Sequence, residues 1–240
     1  MGLTDFIVYA GRNQPLNSDF FVALLTVIGI DLILGGDNAI VVAMACRKLP
    51  PALRNKAIVI GIAFAILARG FLTIIAIHLL SIPYLMGIGG VLLFWIAYKL
   101  LTSSEGEHHV AGSVSVFAAI KTIVIADVVM GFDNVLAVAG AADGDTLIVF
   151  LGLLISVPIL IWGSKIILFL MKKFPVILYA GAAILAFTAS AMISHEPVVY
   201  FFLADYGIPP IVLSLCLITA VVLAGFLRNR VQTIVYFKNQ

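Results

Sequence analysis

Residues 30–46 read IDLILGGDNAIVVAMAC and residues 126–142 read ADVVMGFDNVLAVAGAA, and the two segments agree at seven of seventeen positions. Asp31 pairs with Asp127, Gly35 with Gly131, Asp37 with Asp133 and Asn38 with Asn134, all at one offset of 96 residues. Both segments lie within long apolar stretches. A lipid environment alone selects hydrophobicity. It does not select the same acids and amides at the same spacing, so the match marks a duplicated unit with a polar task.

The composition around these segments sets the solvent. The 240 residues are 63% hydrophobic and 11% charged, with a mean hydropathy of +1.20, well beyond a soluble domain, whose apolar share is nearer half. Apolar runs of about 20 residues recur, the length a helix needs to cross a bilayer core of about 30 Å. A net charge of +2 without a basic, aromatic-interleaved cluster argues against a nucleic-acid partner. Cys46 and Cys216 have no disulfide or zinc spacing. Residues 1–18 lack a basic start, so the first membrane helix is expected to act as its own targeting signal.

Breaks at polar, Pro and Gly residues divide the chain into seven spans, at about 20–46, 56–80, 83–102, 115–141, 146–170, 175–194 and 208–227. Basic residues follow the first span (Arg47, Lys48, Arg54, Lys56), the fifth (Lys172, Lys173) and the seventh (Arg228, Arg230). Those ends are expected to be cytoplasmic, with the N-terminus outside. Weaker echoes of the repeat set Gly70 against Gly163 and Pro83 against Pro175. Each repeat then holds three helices, residues 19–102 and 115–194, with an extra helix at 208–227. An odd number of spans per copy forces the second copy to enter from the other side, as the charge rule also requires. The expected architecture is a single all-α polytopic domain of seven transmembrane helices, with two inverted three-helix repeats and one C-terminal helix, a plan common among secondary transporters.

Inside such helices an ionised carboxylate costs several kcal/mol unless it is paired or hydrated. Asp31, Asp37, Asp127 and Asp133, with Asn38 and Asn134, therefore read as a cation site or a proton relay. In a straight helix Asp31 and Asp37 are about 120° apart in azimuth and roughly 9 Å apart along the axis, too far to share an ion. Gly35 and Gly36 between them permit a break that frees backbone groups, and Gly131 is the corresponding expectation in the second copy. An inventory of carboxylate and amide oxygens, without His or Cys, favours hard or borderline ions: Mn²⁺, Mg²⁺ or Ca²⁺. Four ionised acids around one divalent ion leave a charge of about −2, which low dielectric disfavours, so some acids are expected to hold protons. Competition between proton and metal is the physical basis of antiport.

Arg69 lies deep in the second span and Lys165 in the cytoplasmic half of the fifth, and both are candidates to pair with an acid when no metal is present, with snorkelling to the interface the alternative for Lys165. Lys121 reads as an interfacial anchor. His78, His108 and His109 read as solvated, although 105–109 (Glu-Gly-Glu-His-His) has the composition to collect metal weakly at the cytoplasmic side.

At Asp31 with Gly35-Gly36-Asp37-Asn38-Ala39, and at Ala126-Asp127 with Phe132-Asp133-Asn134-Val135-Leu136-Ala137, the chain resembles the TerC family of integral membrane proteins, in particular its short, YjbE-like members. The resemblance spans roughly residues 18–228. It implies manganese export from the bacterial cytoplasm across the inner membrane, with the motif acids as metal ligands. Asp31 stands where many members have Glu, and Val124 where many have an acid.

The working expectation is a non-enzymatic divalent-cation exporter, Mn²⁺ foremost, that carries no permanent cofactor and uses protons as counter-ions. Its partners are the bilayer, the metal ion and protons, and a homodimer is compatible with this reading. Two other classes share the membrane-embedded acids. An intramembrane aspartyl protease uses two, one in a Gly-x-Gly-Asp setting that Leu34-Gly35-Gly36-Asp37 matches poorly. An exporter of basic amino acids would use them to hold its cationic substrate.

Overall fold

A computed structural model of the chain describes residues 18–80, 82–102, 112–142 and 145–238. Within these, side chains are described except at 18–19, 74, 76–80, 112–115, 133, 135, 136, 139, 146 and 229–238. All regular structure among the described residues is helical: α1 Ser18–Leu34, α2 Gly36–Cys46, α3 Pro51–Leu80, α4 Leu85–Thr102, α5 Gly112–Ala141, α6 Thr146–Lys173, α7 Val176–His195, α8 Pro197–Asp205 and α9 Pro210–Lys238.

The helix ends follow local chemistry. Pro51, Pro197 and Pro210 each open a helix, where the missing N–H costs nothing. Asp145 caps α6, accepting from the Leu147 and Ile148 amides at 2.8 and 3.4 Å. Arg54 folds back on the end of α2, donating to the carbonyls of Cys46, Arg47 and Leu49 at 3.3, 3.1 and 2.9 Å. It thereby satisfies acceptors that the helix leaves open. At the other end of the bundle Tyr84 takes a left-handed conformation (φ 65°) just before α4. There the buried Glu196 carboxylate accepts from the Tyr84 and Gly87 amides at 3.2 and 3.1 Å.

Five helical segments are long and apolar enough to cross a membrane: Pro51–Thr73, Leu85–Thr102, Leu147–Lys173, Val176–His195 and Pro210–Arg228. The pair Phe20–Leu34 and Gly36–Cys46, bent by 49°, makes a sixth if it is one broken span. The expected fourth span corresponds to α5, a continuous helix of 30 residues that carries Lys121, Asp127 and Asp133 and is not among those six. The stretch after 194, expected to be a loop, contains the short helix α8.

Helix α3 packs along α5, α4 along α7, α7 also against α9, and α1 and α2 both against α6. Lipid tails are as apolar as the side chains, so association rests on close van der Waals fit rather than on burial from water. Gly90 shows how close. A Cβ there would lie 2.7 Å from the Ala189 carbonyl oxygen and 2.6 Å from Ile193 Cγ1, so the approach of α4 to α7 has no room for alanine. The main core gathers Met44, Ile58, Leu93, Ile123, Leu185 and Met192 where these helices meet. Ile33, Phe117, Trp162 and Phe169 instead point outward, as lipid-facing side chains do.

Candidate functional site

The bend between α1 and α2 falls at Gly35. Its backbone (φ −95°, ψ 8°) is one that other residues can adopt; space makes glycine necessary. A Cβ would sit 2.5 Å from the Asp31 carbonyl oxygen and 3.2 Å from Asn38 Nδ2. The Gly35 amide donates to Asp31 O at 2.7 Å, closing α1, and the Asn38 amide donates to Gly35 O at 3.0 Å, opening α2. Gly36 is already the first residue of α2, and a Cβ there would meet nothing within 4 Å.

Gly131 departs from the expected second break. It lies within unbroken α5, with space for a Cβ at 3.8 Å from Leu72 Cδ1 and 4.0 Å from Arg69 Nε. Glycine permits a bend, but neighbouring helices decide whether one forms. Here α5 continues unbroken through Gly131, packed against α3.

The break delivers Asp31 to a cluster at the centre of the bundle. Arg69, from α3, donates through Nη1 to Asp31 Oδ1 and through Nη2 to Asp127 Oδ1 of α5, the latter at 2.6 Å. Ser156, from α6, donates to Asp31 Oδ2. Asp31, Arg69, Asp127 and Ser156 are 2%, 4%, 8% and 1% exposed, so the ion pairs are effectively dry. One guanidinium thus serves two carboxylates, leaving the group one negative charge in excess when all three are ionised.

Asp31, Asn38, Arg69, Asp127 and Ser156 line a cavity of about 20 Å³ whose remaining walls are apolar, including Val41, Ile62, Ile123 and Leu160. That volume suits about one water-sized guest. Facing or flanking it are buried polar atoms without a hydrogen-bond partner: Asn38 Oδ1 and Nδ2, Asp127 Oδ2 and Arg69 Nε. Buried polar atoms are normally satisfied, so this set marks a place where a polar guest is missing its contacts.

The six candidate ligands do not form one group. Asp31, Asn38 and Asp127 share the cavity. Asp37, next to Asn38 but about 100° round the helix, turns instead toward α7, where Thr188 Oγ1 donates to its Oδ2 at 3.1 Å. Asn134 Nδ2 reaches the Leu34 carbonyl at 3.5 Å, on the last residue before the bend. The Asp133 backbone is in α5, but its side chain lies outside the described residues, as do His78 and the 105–109 loop. Lys165 is exposed on α6, with an acid partner nowhere among the described residues. The buried position belongs to Ser164, one residue and about 100° away. No three His, Cys, Asp or Glu side chains among the described residues converge as a ligand cluster. The polar set is two carboxylates, an amide and a hydroxyl around a guanidinium. Ser156 and Thr188 had no sequence signal, because a lone hydroxyl in an apolar helix commonly bonds its own backbone.

Apolar helices facing lipid around a dry pair of acids held on one arginine define a multi-pass integral membrane protein. The chain belongs to the integral membrane protein TerC family, whose model matches residues 16–233. It is 42% identical over 217 residues to the uncharacterized membrane protein YjbE of Bacillus subtilis, covering 90% of this chain and all of that protein. It is 26% identical over 173 residues to the uncharacterized membrane protein YkoY of the same organism, covering 63% of this chain and 53% of YkoY. It is also 27% identical over 148 residues to the UPF0053 inner membrane protein YoaE of Escherichia coli, covering 53% of this chain and 29% of YoaE. The chain therefore spans the whole of one relative and only part of the longer ones. No solved structure matches it.

Proposed function

We propose that the chain is a secondary transporter that exports a divalent cation, Mn²⁺ foremost, from the bacterial cytoplasm across the inner membrane, with protons as counter-ions. The observation that carries this reading is the pair Asp31 and Asp127, held on Arg69 at the edge of a cavity with room for one small guest. Asn38 Oδ1 and Asp127 Oδ2 are acceptor atoms awaiting a donor or an ion. Hard oxygen donors of this kind suit Mn²⁺, Mg²⁺ and Ca²⁺. Arg69 acts as a tethered counter-ion: a loaded divalent cation takes over the charge balance of the carboxylates and releases the guanidinium.

The transport frame consists of seven crossings, with α5 as the seventh, in two inverted repeats over residues 19–102 and 115–194 plus the extra helix at 208–227. The packing supports it. The broken first span, α1 with α2, lies on α6, the second span of the other repeat; α5 lies on α3; and the third spans, α4 and α7, lie on each other. An exchange of repeats about a two-fold axis maps this set of contacts onto itself. The N-terminus is outside and the C-terminus cytoplasmic.

An aspartyl protease needs two carboxylates that share a proton, whereas Asp31 and Asp127 are separated by a guanidinium, which favours a non-enzymatic role. An exported arginine or lysine could replace Arg69 electrostatically, but a cavity of about 20 Å³ suits a bare ion better than a second long side chain. Purified protein in liposomes, assayed for Mn²⁺ flux against empty liposomes and against arginine and lysine as solutes, tests the reading. Saturable Mn²⁺ flux supports it. Amino-acid flux without metal flux, or neither, contradicts it.

A further inference from the structure

Among the described residues Ser156 supplies the one hydroxyl of the cavity wall, and it has more acceptors in reach than protons to give. Its Oγ lies within reach of two acceptors, the Leu153 carbonyl at 2.8 Å on its own helix and Asp31 Oδ2 across the cavity. A serine hydroxyl has a single proton, so it serves one acceptor at a time. With the proton on Asp31, the hydroxyl stabilises the carboxylate. With the proton on Leu153 O, both lone pairs are free on the cavity side, next to Asp31 Oδ2 and the unpartnered oxygens of Asn38 and Asp127.

We propose that Ser156 is a cation ligand and a selectivity-determining residue of this site, switching its proton from Asp31 to the Leu153 carbonyl as the ion loads. The inference rests on the cation reading of the same cavity. It adds a neutral oxygen to the two carboxylates and the Asn38 amide, giving four hard side-chain donors from α1, α2, α5 and α6. A hydroxyl can make this exchange without adding charge, so loading one divalent ion against two carboxylates stays balanced. It also biases the site toward hard ions, because an oxygen stands where a thiol of nearly the same shape would fit.

Substitution at this position separates liganding from packing. In purified protein, Ser156→Ala is expected to weaken Mn²⁺ binding by roughly tenfold or more, the scale seen when groups supporting a metal are lost. Ser156→Cys is expected to shift preference from Mn²⁺ toward Cd²⁺. The Cys variant should also show an ultraviolet thiolate-to-Cd²⁺ charge-transfer band absent from the wild type, which already contains Cys46 and Cys216. A merely structural serine would produce neither the preference shift nor the band. Wild-type Mn²⁺ affinity in both variants, together with an unchanged Cd²⁺ to Mn²⁺ ratio and no band, overturns the assignment. If the wild type binds Mn²⁺ and Asp31→Asn does not, that failure concerns Ser156 alone. If the wild type binds no divalent cation, the cation reading fails with it.

Discussion

Asp31 and Asp127 occupy corresponding positions in two segments 96 residues apart, and both carboxylates close on the same guanidinium, that of Arg69. The first acid of each copy therefore converges on one guanidinium. The symmetry of the repeat is broken at its centre, because only the first copy supplies the arginine and only the first copy interrupts its helix.

The clamp makes the bundle sensitive to substitution at Arg69. Arg69→Gln leaves two buried carboxylates uncompensated, and removing one partner of a buried ion pair costs about 3–5 kcal/mol. Thermal unfolding in detergent with a chelator present should show a large loss of stability. Millimolar Mn²⁺ should restore more stability to this variant than it adds to the wild type, since the ion replaces the missing charge. A variant as stable as the wild type in chelator would show that the clamp carries little.

The two adjacent glycines should behave differently. Gly35→Ala places a methyl 2.5 Å from the Asp31 carbonyl oxygen, whereas Gly36→Ala meets nothing within 4 Å. The first substitution should displace Asp31 from Arg69 and abolish transport; the second should leave transport and melting near wild type. Transport assays on the pair check this, and equal effects from both would contradict the space argument.

Much of this was legible in the chain before any geometry. Four acids repeated at one offset inside apolar stretches are too costly in lipid to be incidental, and an arginine as deep as Arg69 needs a partner among them. The facing of each side chain was not legible. Asp37 and Asn38 are neighbours, yet they point to α7 and to the cavity respectively. Gly131 matches Gly35 by alignment but lies inside an unbroken helix, because helix paths are set by neighbours rather than by a glycine's freedom. Lys165 missed the interior by one residue, and Ser156, Thr188 and Glu196 acquire partners only through tertiary contact.

Glu196 joins the end of α7 to the start of α4 by accepting from the Tyr84 and Gly87 amides. Glu196→Ala should lower stability by about 1–3 kcal/mol, the scale for losing hydrogen bonds to a charged acceptor. Glu196→Gln, which keeps one acceptor, should lose less. Chemical or thermal unfolding of the two variants measures the difference, and no loss in either would mean that water replaces the carboxylate.

Orientation is testable apart from chemistry. In a background without Cys46 and Cys216, single cysteines at 143–145 should react with impermeant reagents from outside intact cells, and those at 48–55 should react only after permeabilisation. The reverse pattern would invert the topology and the direction of transport.

The central claim is that one divalent ion binds between Asp31 and Asp127 in place of Arg69. Mn²⁺ titration of the purified protein, read by electron paramagnetic resonance, addresses it most directly. The wild type should bind Mn²⁺ with an affinity that falls as pH falls, because protons and metal compete for the same carboxylates. Asp31→Asn and Asp127→Asn should each lose about tenfold or more, equivalent to about 1.4 kcal/mol or more, while Lys165→Ala should bind as the wild type does. Undiminished Mn²⁺ binding in both aspartate variants, at a pH where the wild type binds, would place the ion elsewhere and contradict the site.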